Sequence, residues 1–332
     1  MLLKYVLFHS LIMLGRRHFR VKILQGLYAY FQGGDSRIES AEKKLLQSID
    51  KMNELFYLQI SFLLEVLHFY EVRMEEAKYK FIPTEAELNP NLKLLKNKQL
   101  IQLQTNHDIS EAITRYKISW SEEQEMVRKV YLKIKNSKEL SEYLKSENSS
   151  YQEDSEFMIR VFRKFLAKSG DFRSFCEERF LFWSDDFDIA SLFILKMLKL
   201  LNENFSENDI LADLFHKEHP DYFADDQKFI QELFRRTIMH SDEYEKLIKS
   251  RTRNWELERI ALTDVILIKM ALTELLHFSE IPVKVTLNEY IELSKQFSSQ
   301  KSKSFINGIL DKLVADLQTE NKINKRGRGL MT

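Results

Sequence analysis

The chain has 332 residues, with 50 lysines and arginines set against 50 aspartates and glutamates, so any affinity for nucleic acid must come from a local patch and not from net charge. One cysteine, Cys176, excludes a disulfide framework and every multi-cysteine metal site, and fits a reducing cytoplasm. Eight glycines and four prolines are few for this length, while Leu, Lys, Glu and Phe abound, which points to an all-α fold with room for one large helical domain or two smaller ones.

Leu2 to Leu14 is mostly apolar, but about a dozen residues cannot cross a bilayer. No small-residue cleavage site comes after it, and Arg16-Arg17 lacks the long apolar core of a twin-arginine export signal. Residues 1–12 therefore read as an upstream extension, with Met13 the expected natural start. Val21, Leu24, Tyr28 and Phe31 recur at helical spacing and predict a helix within 13–35. Its mouth carries Arg16, Arg17, His18, Arg20 and Lys22. Guanidinium groups fork onto phosphate oxygens and stack on bases, which suits single-stranded RNA. A solvated helix start is the commoner meaning of such a run, although cations at a helix N-terminus oppose the dipole.

From Ser36 to about Lys80 an apolar face of Ile38, Leu45, Ile49, Met52, Phe56, Leu63, Leu67 and Tyr70 predicts one or two long helices. Pro83 and Pro90 bracket a loop, and the polar stretch from Ser146 to Ser150 makes another break. An internal echo runs at a constant offset: Phe157, Phe162, Phe172, Trp183 and Leu195 match Phe229, Phe234, Tyr244, Trp255 and Leu267. Trp120-Ser-Glu-Glu and Trp183-Ser-Asp-Asp each place a tryptophan before a serine-capped, acid-started helix. The region 36–221 thus reads as helical and partly a degenerate repeat of the segment C-terminal to it, unless amphipathic helices of similar length align by chance.

In the last eighty residues, Thr263 is placed to cap a helix beginning at Asp264, with Val265, Ile266, Ile268, Leu272, Leu275 and Leu276 as its apolar face. Pro282 closes the loop, and Thr286 with Glu289 reads as a capping box for the next helix. The final helix is expected to bury Phe305, Ile309, Leu310, Leu313 and Leu317, with Gly308 allowing a near backbone approach. Lys301, Ser302 and Lys303 open it, and a helix N-terminus with hydroxyls and amines suits a phosphate as well as an ordinary cap. Residues 321–332 read as a basic flexible tail.

No P-loop, dinucleotide fingerprint, H-E-x-x-H or G-x-S-x-G is present, so no catalytic residue, metal or cofactor is expected. His216 and His219 lack a third ligand, and Asp185, Asp186 and Asp188 come after Ser184 as in a capped helix start.

Trp255-Glu-Leu-Glu-Arg259, the Asp264–Leu275 run, Ile281-Pro-Val-Lys-Val-Thr-Leu-Asn-Glu289 and Lys301-Ser-Lys-Ser-Phe-Ile-Asn-Gly-Ile-Leu-Asp311 together resemble the C-terminal domain of the NusB family of bacterial transcription-antitermination factors. Arg16-Arg-His-Phe-Arg20 and Gln25-Gly-Leu-Tyr28 are similar to its N-terminal signature. The resemblance covers roughly residues 14–34 and 222–318, about a third of the chain, and departs from the family by the long insertion between. It implies an all-α NusB-type bundle in two subdomains enlarged by a helical insert, with 13–35 the first helix, 36–221 the insert and 222–320 the C-terminal domain.

The resemblance further implies a cytoplasmic, non-enzymatic antitermination factor that binds boxA-type RNA with NusE, a small-subunit ribosomal protein, within the RNA polymerase antitermination complex. Matching positions for RNA are Arg16, Arg17, Arg20, Gln25, Lys301 and Phe305; for the partner protein they are Tyr28, Glu258 and Asp264. Two other readings stand beside it: a protein-only adaptor that has lost RNA specificity, and the NusB-like module of an RNA methyltransferase, against which the missing cofactor loop argues.

Overall fold

The structure is a computed structural model describing residues 15–33, 37–179, 185–209, 211, 220–251 and 260–326. Among these residues there are fifteen α-helices, one five-residue π-helix and no strand, as the composition requires. The chain divides into two units, one built on Asp50–Leu214 and the other on Leu14–Ile49 with Phe215–Thr332.

Helix α2 (Ile38–Lys78) runs unbroken through 41 residues and passes from the second unit into the first. It is long and apolar enough to cross a membrane, yet 61% of its most apolar stretch is buried inside the protein, as in the central helix of a globular domain. The first unit continues with α3 (Glu85–Leu88), α4 (Lys98–Thr105), α5 (His107–Arg115), α6 (Gln124–Lys135), α7 (Lys138–Lys145), α8 (Tyr151–Val161), the π-helix Phe162–Leu166, α9 (Gly170–Arg179) and α10 (Asp185–Leu200). Phe62 stacks on Phe172 and Tyr143 on Phe157, each at 4.1 Å between ring centres. Among the buried polar groups of this core, Asn97 caps α4 through Leu100 N at 2.8 Å, while Tyr143 donates to Asp154 at 2.6 Å. The Trp120 indole donates to the Ser61 hydroxyl, but α6 opens three residues beyond Ser121 with Glu123 as its uncapped start, so the expected serine cap does not form.

The second unit holds α1 (Arg16–Gly33), the beginning of α2, α11 (Pro220–Met239), α12 (Ser241–Arg251), α13 (Leu262–His277), α14 (Val283–Phe297) and α15 (Gln300–Thr319). α13 is buried on every side from Asp264 to Leu275, with α1 and α11 packed against it and α14 and α15 covering the rest. The echo pairs Phe157, Phe162 and Phe172 of one unit with Phe229, Phe234 and Tyr244 of the other, all buried; Leu195 is half-buried where Leu267 is fully so. Trp183 and Trp255 lie outside the described residues.

Three local expectations are corrected. α13 starts at Leu262 behind Ala261, leaving Thr263 inside the first turn. α14 starts at Val283, directly after Pro282, because a proline fits the helix edge where an amide is not needed; Thr286 and Glu289 then fall in later turns and serve other partners. A side-chain carbon added at Gly308 meets nothing within 4 Å, so no close approach depends on it. The close approach is instead at Gly26 of α1, where such a carbon would lie 3.3 Å from Leu45 and 3.4 Å from Phe234. Beyond α15, Asn321 turns with φ 54°, and Arg326 N donates to Ser279 O at 2.8 Å. Lys325 donates to the backbone carbonyls of Glu274 and Phe278 at the end of α13, at 2.9 and 2.8 Å.

Candidate nucleic-acid interface

No acidic residue occupies the first turn of α1, so that turn itself supplies no counter-charge to its cations. The turn is closed by Gly15, whose carbonyl accepts from His18 N at 2.8 Å while its amide meets the His18 ring at 3.3 Å. Arg16 and Arg17 are exposed; Arg20, one turn on, is buried.

Arg16 lies with its guanidinium carbon 5.1 Å above the Phe229 ring, a cation–π contact that leaves its polar edge to solvent. It borders a cleft of about 210 Å³ shared with Lys228, Asp225, Glu232 and His277. Burial and the neighbouring Arg236 push the His277 imidazole below its usual range. Arg17 donates through Nε and Nη2 to both oxygens of Glu289, at 2.9 and 2.7 Å, and this hydrogen bonding holds the Glu289 carboxyl below its ordinary range. The fork is half occupied, and Arg17 keeps 55% of its side chain in solvent.

Arg20 is committed elsewhere. It is 3% exposed and donates through Nε and Nη2 to the two oxygens of Glu274, both at 2.8 Å. Burial opposes its charge, but the Glu274 hydrogen bonds outweigh that and raise its pKa further. Glu274 also accepts from Thr286 at 2.8 Å and from Tyr290 at 3.3 Å, so a fully buried carboxylate gathers four hydrogen bonds from three residues of α1 and α14. Gln25 is likewise buried, with neither amide atom hydrogen-bonded. Arg20 and Gln25, expected on the RNA surface, are thus 3% and 5% exposed in this structure.

At the start of α15, Ser299 caps the helix by accepting from Ser302 N at 3.2 Å. Ser304 is exposed and Phe305 half-buried, short of the core position expected for it, which Ile306 fills. The side chain of Lys301 lies outside the described residues. Glu292, exposed on α14, feels both Arg17 and Lys303, so the two basic starts border the same carboxylate. Lys295 joins Arg17 and Glu292 around a shallow depression, a cation that periodicity alone had no reason to single out. Of the partner positions, Tyr28 is half-buried, Glu258 lies outside the described residues, and Asp264 is 3% exposed and accepts from the Ser298 hydroxyl.

The NusB family model matches residues 189–315, from inside α10 to the last turns of α15. A Transcription antitermination protein NusB of Thermodesulfovibrio yellowstonii is 32% identical over 124 residues, which is 37% of this chain and 82% of that relative. This chain belongs to the NusB family. Proteins of the same name from Salinibacter ruber (43% identical over 103 residues, 31% of this chain) and Chloroherpeton thalassium (33% over 123 residues, 37% of this chain) agree. The chain spans only 64% and 54% of those two relatives' lengths. No solved structure matches. The NusB match takes in α11 to α15 almost whole but stops short of α1, so Arg16 and Arg17 rest on the N-terminal signature and on their exposure.

Proposed function

We propose that this NusB-family chain is a transcription antitermination factor of the cytoplasm, holding boxA-type single-stranded RNA together with NusE and keeping RNA polymerase processive, notably on ribosomal RNA operons. What carries the reading is the name shared by all three relatives, Transcription antitermination protein NusB. The exposed edges of Arg16 and Arg17 support it, because guanidinium forks match phosphate oxygens. Lys301 would add a charge and Phe305 a partly open ring for a base to stack on. Arg20 acts in this reading as a positioning residue that pins α1 to α13. Tyr28 and Glu258 would contact NusE, with Asp264 shaping the edge from beneath. Binding and orientation are the whole mechanism; no bond is made or broken.

The test is titration of labelled boxA-like and scrambled RNA, with and without NusE, at several salt concentrations. Single-stranded binding loses affinity with a slope of roughly −0.7 per phosphate contact, so Arg16→Ala/Arg17→Ala should flatten the slope by about 1.4 and abolish sequence preference. NusE binding without RNA preference would instead support the adaptor reading, which the occupation of Arg17 by Glu289 favours.

A further inference from the structure

The first unit carries an unusual surface where α2 ends. Tyr79, Phe81 and Ile82 lie close together in the turn after α2 and are 85%, 100% and 79% exposed; Val72, Leu88 and Leu92 are exposed as well. A fully solvated phenylalanine at a loop tip gains nothing for the folded chain, and a contiguous apolar patch of this kind marks a contact surface. Beside the tip lies a cleft of about 520 Å³ lined by Tyr70, Met74, Ala77, Tyr131 and Leu144. Lys80 on one side of the tip, and Ala86 and Glu87 on the other, form part of its wall. An exposed apolar tip and a cleft whose apolar lining is shared with Arg73, Glu76, Lys80, Glu87 and Lys135 thus lie on one surface.

We propose that this face joins two copies of the chain, the Phe81 tip of each seating in the other's cleft. A surface with both knob and hole is self-complementary, which is what a two-fold contact requires. The charges agree. Arg73 is already paired with Glu76 at 2.7 Å, and Lys80 with Glu87, so each rim is nearly neutral and alternates in sign. The whole chain carries no net charge either, and two copies meet without repulsion. Cation–π contacts set Arg73 on Phe69 and Lys135 on Tyr131.

The experiment is sedimentation velocity of the full chain over a wide concentration range. A reversible dimer is expected. Phe81→Ser counts twice in a two-fold contact and should weaken association by about a hundredfold or more. Since Phe81 is wholly exposed in the monomer, its loss leaves helical circular dichroism unchanged. Ala77→Arg, which fills the hole, should weaken it similarly. Mixing the two variants restores one knob-in-hole contact and should give a heterodimer tighter than either variant alone. A monomer at every concentration, a dimer indifferent to Phe81→Ser, or a mixture no tighter than its components would each overturn the proposal.

Discussion

Arg17 and Glu289 form a two-pronged ion pair across 272 residues of sequence, with the glutamate 17% exposed and the arginine mostly in solvent. In the proposed RNA-binding role, that carboxylate competes with a phosphate for the Arg17 fork.

The pair sets a pH dependence of stability. Glu289 is held below its ordinary value of 4.5, so its contribution is complete above that value and is lost as pH falls through its lower folded value. Thermal melts between neutral and strongly acidic pH should show this loss, and Glu289→Gln should flatten that part of the profile. The same substitution frees the whole Arg17 fork and removes a negative charge beside it, so RNA affinity should rise several-fold. A fall in affinity would mean that Glu289 orients Arg17 instead of competing for it.

Arg20 and Glu274 behave differently because neither reaches water. Removing one member strands the other charge in the core, at a cost of about 3–5 kcal/mol, whereas exchanging both for apolar residues of similar volume is close to neutral. Denaturant unfolding of Arg20→Ala, Glu274→Ala and Arg20→Met/Glu274→Leu checks this. Equal destabilisation by the single and double variants would contradict it.

Gly26 is a tight packing point of α1. An added methyl must push the Leu45 tip by a few tenths of an ångström, while alanine favours the helix over glycine by about 1 kcal/mol. Gly26→Ala should therefore be near neutral, and Gly26→Val should cost about 1–3 kcal/mol by overpacking against Phe234. Chemical denaturation of the pair of variants separates them.

Lys325 gives a slope of the same sign as Glu289, but in the alkaline range. Burial lowers its pKa to about 8 from 10.5, and its carbonyl partners carry no full charge to offset the loss of water. The penalty on the charged form is complete below about pH 8 and relieved as pH rises towards 10.5. Stability of the native chain relative to Lys325→Met should climb over that interval, and a flat difference would place the ammonium in solvent.

Helical periodicity made the long elements legible: the apolar positions read from Ile38 to Leu67 fall in one continuous α2, and the motifs from Ile281 to Asp311 carry the family. The chemistry of individual polar residues was less legible. Arg20 looked like its neighbours Arg16 and Arg17, because nothing within one turn announces a buried carboxylate 254 residues away. Thr286 and Glu289 fitted a capping box by spacing, but Pro282 set the helix start earlier and released Thr286 for Glu274 and Glu289 for Arg17. Gly26 and Gly308 are indistinguishable as letters; only the third dimension says which one has a neighbour.

The separation of Arg20 from Glu274 also bears on how the chain is born. At about 5–20 residues per second, a ribosome needs roughly 10–50 s to synthesise Glu274 after Arg20. Asp50–Leu214 is complete before then and is free to fold as a unit. Through that interval α1 carries Phe19, Ile23, Leu24 and Leu27 with no α13 to bury them, so the nascent chain shows chaperones an apolar, arginine-bearing helix early and withdraws it only near the end of translation.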